Sequence, residues 1–200
     1  MALGKKPKVE ARWRTYAAVA LVFMLVANGL AGSTTLIGGV NTAEVSDSFP
    51  NLFAPAGVTF AIWGVIYALL LLHMAWQYGL WRKQASAGTV KAVNDILPKF
   101  VATSILNFVW IFAWQNKVIW ASVALMLALL YELIDIARRL SQEKYNWREW
   151  LAVRAPFSIY FGWITVATIA NITTWLVSWN WDGAGLSAGT WMVAVLLVGA

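Results

Sequence analysis

Thr59, Trp63 and Tyr67 recur every fourth residue in the stretch Pro55 to Tyr67, PAGVTFAIWGVIY, which places them on one face of a helix. Two large ring surfaces with polar handles form a wall against which a ligand can lie, and the same spacing also serves plain packing of a helix bundle. A second set is ionisable. Glu132 and Asp135 stand one turn apart, and the chain's only histidine, His73, lies in another apolar stretch at a depth similar to that of Glu132. A histidine beside a carboxylate inside a membrane is the raw material of a proton relay. The simpler arrangement pairs Asp135 with Arg139, four residues on, and lets Glu132 reach for the interface.

Residue types exclude other chemistry. The chain has no cysteine, hence no disulfide, no thiolate metal site and no thiol nucleophile. A single histidine cannot give bis-histidine haem ligation within one chain, and no cluster of histidine and cysteine is present to hold a metal. A glycine-rich phosphate loop and a nucleophile elbow are also missing.

The elements that carry these residues follow from composition. Of 200 residues 60% are hydrophobic and 12% charged, and the mean hydropathy is +0.65, against roughly 45–50% apolar and about 25% charged residues in soluble domains. The expected fold is an all-α polytopic membrane bundle. A net charge of +6 would suit nucleic acid, yet the basic residues lie between apolar spans, so membrane lipid with anionic headgroups is the expected partner and nucleic acid is not.

Five spans are expected: Tyr16 to about Ile37, Gly57 to about Trp81, about Phe100 to Gln115, Val118 to about Ala137, and Pro156 to about Trp179. The domain plan is a basic segment over 1–14, a five-helix domain over 15–181 and a sixth, short or truncated span over 182–200. Lys91 and Lys99 fall in a loop before the third span, which leaves no lysine inside a span for a Schiff base. Leu140 to Arg154, with Trp147 and Trp150, suits an amphipathic segment in the headgroup layer. The segments before the first span and after the second and fourth hold 14 of the 15 Lys and Arg residues, which predicts a cytoplasmic N-terminus.

Fourteen tryptophans are more than interfacial belts need, and Trp63, Trp110, Trp114 and Trp163 lie well inside spans. Three motifs are similar to those of the TspO/translocator protein family, the tryptophan-rich sensory proteins, and in particular its longer bacterial branch. Pro55-Ala56-Gly57 with Phe60, Trp63 and Tyr67 resembles the mouth of that family's second helix. Leu106-Asn107 with Trp110 and Phe112 resembles the signature of its third. Trp163 with Ala167, Thr168 and Asn171 resembles that of its fifth. Ala56 stands where the family commonly has a second proline, and Phe53 where it commonly has tryptophan.

The resemblance implies a five-helix bundle, often a homodimer, around an elongated cleft lined by Trp63, Tyr67, Asn107, Trp110, Trp163, Ala167 and Asn171. Its ligand would be a tetrapyrrole, porphyrin or haem, or a sterol-like molecule, with no covalently bound cofactor. The protein would act as sensor, carrier or scavenger, and the resemblance extends to light-dependent porphyrin breakdown. Asn107 and Asn171 would be costly in lipid if unpartnered, so they must face ligand, water or each other's helices. Two other readings stand beside this one: a proton-coupled small-molecule transporter using His73, Glu132 and Asp135, and a structural subunit of a membrane complex whose aromatics only pack.

Overall fold

The computed structural model describes residues 8–54 and 56–199, so Pro55 of the expected helix mouth, residues 1–7 of the basic N-terminal segment and Ala200 of the expected sixth span lie outside the described residues. Among these residues the chain is all helical, with five helical stretches long and apolar enough to cross a membrane.

Helix α1 runs Ala11–Ser33 and buries Ala17, Leu21, Met24, Ala27, Asn28 and Ala31. That spacing of three and four puts small residues on one face, which lets the helix approach its neighbour closely. Val19, Val22, Phe23 and Val26 point outward. The loop after α1 folds into a short helix, α2, Thr42–Asp47, started by a capping box in which Asn41 and Glu44 satisfy each other's end. It buries Thr42, Val45 and Ser46.

A 3-10 turn, Gly57–Ala61, leads into α3, Ile62–Tyr78. Thr59 falls on that turn and is exposed, so the expected ladder is reduced to Trp63 and Tyr67. Helix α4 spans Ala87–Gln115, which corrects the expected loop around Lys91 and Lys99. Val90, Val93, Ile96, Leu97 and Phe100 form a buried stripe that continues the span. Lys99 is therefore inside a spanning helix, where Glu132 and Asp135 neutralise it. At about 1.5 Å per residue the helix is longer than a hydrocarbon core of about 30 Å requires, so its basic end projects beyond it.

Helix α5 covers Ile119–Leu140. A second capping box, Asn146 with Glu149, opens the short helix α6, Trp147–Glu149, and a π-helical turn, Trp150–Arg154, joins it to α7, Ala155–Ser178. From Trp147 on, the segment expected in the headgroup layer is thus continuous with the last apolar helical stretch. It exposes Trp147 and Trp150 and buries Ala152 and Val153. Helix α8, Ala188–Gly199, packs on α7. Its twelve described residues rise about 18 Å, against a hydrocarbon core of about 30 Å.

The five long helices close a ring. α1 packs on α4, α4 on α5, α5 on α7, α7 on α3, and α3 meets α1 more lightly.

Candidate functional site

Trp63 stands at the middle of an aromatic cage. Its ring stacks on Tyr67 at 5.5 Å and 24°, lies 6.1 Å from Trp110 at 33°, and meets Tyr160 and Trp163 edge-on at 6.0 Å each. Phe60 closes on Trp163 at 6.3 Å, and Trp114 stacks on Trp110 at 5.9 Å. Edge-to-face and offset contacts suit ring quadrupoles, so the cage is held by geometry as well as by burial.

Of the expected site residues, the structure gathers Trp63, Trp110, Trp163, Ala167 and Asn171 around one cavity, whose wall Phe60, Ser46 and Thr174 complete. Tyr67 stacks on Trp63 behind that wall. The cavity measures only about 20 Å³. The elongated cleft expected from the sequence is therefore filled by its own side chains. A larger, apolar cleft of about 500 Å³ lies on another face of α7, between Ile172, Leu176, Trp191 and the loop Asn51–Phe53.

Asn107 does not line the cavity. Its carbonyl accepts from the Asn28 amide at 2.7 Å and its own amide donates to the Tyr160 hydroxyl at 2.9 Å. This chain of hydrogen bonds ties α1, α4 and α7 together. Asn171 faces the cavity and is also bonded: its carbonyl accepts from Ser122 and from the Trp110 indole at 3.4 Å. The Trp163 indole N–H, by contrast, is buried and has no hydrogen-bond partner.

Asn28, Tyr160 and Ser122 escaped the reading of the sequence. Asn28 is a lone amide in an apolar run, and Tyr160 lies one turn before Trp163, which are faint signals without the fold.

The loop over the cavity is anchored by α4. The Gln115 amide donates to the carbonyls of Ala31, Ile37 and Val40, and the Trp114 indole donates to Thr42 O at 3.2 Å. Gly38 has φ +73, and a Cβ there would collide with the Gln115 carbonyl, so glycine is needed for the close approach.

The ionisable residues go elsewhere. His73, fully buried between Phe100 and Phe157, bonds Ala152 O through Nδ1 at 2.9 Å. A carbonyl only accepts, so Nδ1 carries the proton. Glu132 takes Lys99 at 3.1 Å, and Asp135 takes Lys99 and Arg139, each at 2.9 Å. The histidine and carboxylate that a relay would pair thus take different partners, because the longer α4 delivers a lysine to both carboxylates. The Asp135 and Arg139 pair forms as its spacing suggests.

A family model described as TSPO-like protein matches residues 14–200, so the match runs through α8 as well as the five long helices. No curated protein and no solved structure matches the chain. The matched length and the all-helical bundle with five apolar spans make this chain an integral membrane protein that belongs to the TSPO-like protein family.

Proposed function

We propose that the protein binds a flat, largely apolar ligand of the tetrapyrrole class between the rings around Trp63, and serves as its sensor, carrier or scavenger. The observation that carries this reading is the cage of Trp63, Trp110 and Trp163 with one buried indole N–H left over at Trp163. Ring faces suit a porphyrin plane, and the spare donor suits a carboxylate or carbonyl on its rim.

Ligand sites of drug size occupy roughly 300 Å³ or more, so the rings must part to admit one. The wall suited to move is the 3-10 turn Gly57–Ala61, which buries none of its residues and brings Phe60 against Trp163. Displacing Phe60 and swinging Trp63 away from Trp163 opens a slot without breaking the hydrogen bonds that hold Asn107.

The test is a titration of protoporphyrin IX into the protein in lipid nanodiscs, followed by quenching of tryptophan emission. Saturable binding that weakens in Trp63→Ala and Trp163→Ala, and is indifferent to Leu176→Trp in the larger cleft, supports the slot. Binding that Leu176→Trp abolishes while the cage variants leave it intact moves the ligand to the cleft and removes this site.

A further inference from the structure

A cavity of about 360 Å³ opens at the basic end of the bundle, between the N-terminal segment and the connection from α3 to α4. Its charged walls are Lys8, Arg82 and Lys83, with Ser86 and Val90 behind them. Three features bring these cations together. The Asn94 side chain holds the N-terminal segment from both sides, accepting from Glu10 N–H and donating to Lys8 O, each at 3.0 Å. Gly79 at φ 131 and Trp81 at φ 57 turn the chain sharply after α3. Arg82 then anchors one guanidinium nitrogen on Gln77 O at 2.6 Å, which fixes its position at the cavity wall.

None of the ion pairs among the described residues involves Lys8, Arg82 or Lys83. Two carboxylates serve the connection itself: Glu149 accepts from Ser86 N–H, and Glu143 lies against Gly88. Neither lines the cavity. The Ser86 hydroxyl is taken by Thr89, so the recognition chemistry of the walls is cationic. Three uncompensated positive charges around a concave site are suited to a compact, multiply charged oxyanion, and guanidinium and ammonium groups both bind phosphate oxygens well.

We propose that this cavity binds a phosphate group, and that Lys8, Arg82 and Lys83 hold it. Phosphate reaches a membrane protein as a phospholipid headgroup or as a free anion, and the experiment separates the two.

Wild-type protein is melted in phosphatidylcholine nanodiscs containing increasing phosphatidylglycerol and, separately, in pure phosphatidylcholine with inorganic phosphate at constant ionic strength. The variant Lys8→Gln/Arg82→Gln/Lys83→Gln is compared with Lys91→Gln/Arg138→Gln/Lys144→Gln, which removes equal charge outside the cavity. Each cavity cation in contact with the phosphate is expected to contribute about fivefold in affinity, so the cavity variant is expected to bind on the order of 100-fold more weakly than the control, which loses the same general attraction of surface cations for anionic lipid. Stabilisation by phosphatidylglycerol alone identifies the headgroup, and stabilisation by both sources identifies the phosphate group itself; each supports the site when the cavity variant loses it and the control keeps it. Should the triple variant fail to fold, exposed Lys83→Gln alone is expected to lose about fivefold. No stabilisation of wild type by either source, or equal loss in cavity and control variants, overturns the proposal.

Discussion

The indoles of Trp63 and Trp163 meet edge to face, 6.0 Å apart and inclined at 82°, across the interface of α3 and α7. They close the bundle interior at the place where one indole N–H is left without a partner. Under the proposed function this contact fills the slot when it is empty and must be broken to admit ligand, which would give the two rings a structural and a functional role at once. Separating those roles requires substitutions that remove one property at a time.

Trp163→Phe keeps a ring against Trp63 and Phe60 and deletes the free donor. A net hydrogen bond is worth about 0.5–1.5 kcal/mol, so porphyrin affinity is expected to fall about two- to tenfold, while the smaller buried ring costs stability on the order of 1 kcal/mol. Quenching titrations beside thermal melts read both quantities.

Asn107→Leu acts oppositely. It removes the partner of the Tyr160 hydroxyl and leaves the Asn28 amide only its bond to Met24 O, and orphaned buried polar groups cost about 1–3 kcal/mol. The expected result is a clear loss of stability with little direct loss of ligand contact. Asn28→Ala together with Asn107→Leu should cost less than the sum of the two, because the second change removes a group the first has already stranded.

Gly38→Ala forces a side chain into a left-handed conformation and against the Gln115 carbonyl, which costs about 1 kcal/mol or more. The outcome expected is faster proteolysis within the loop of residues 34–53, with the helices themselves intact. Gln115→Ala should produce the same loop-specific cleavage, since it releases three carbonyls at once.

Lys99→Met leaves Glu132 and Asp135 without their shared cation. Partly exposed pairs are each worth about 1 kcal/mol or less, so a loss of that order is expected, and Glu132→Gln in the same background should restore part of it. Thermal melts of the four proteins complete the cycle.

Much of the fold is legible because long apolar runs have few ways to satisfy their backbone in a membrane other than as helices. The first half of α4 is less legible. Lys91, Asn94, Asp95 and Lys99 look like loop residues in a line of text, whereas in the helix they share the polar side while Val93, Ile96, Leu97 and Phe100 are buried. The aromatic members of the site stand out because Trp63, Trp110 and Trp163 are large and lie inside spans. Asn28 and Tyr160 do not, since a single polar residue in an apolar helix gives no sign of which neighbour it will bond. Nor does residue spacing reveal that the rings collapse on one another and leave about 20 Å³; that depends on how each side chain turns once the helices are packed.

The most direct measurement uses the ligand as its own probe. Protoporphyrin bound in nanodiscs and illuminated briefly in air generates singlet oxygen that oxidises the nearest tryptophans fastest, and peptide mass mapping locates them. Modification concentrated on Trp63, Trp110 and Trp163 is the predicted result. Modification of Trp181 and Trp191 beside the larger cleft, or spread evenly over all fourteen tryptophans, would contradict an interior slot.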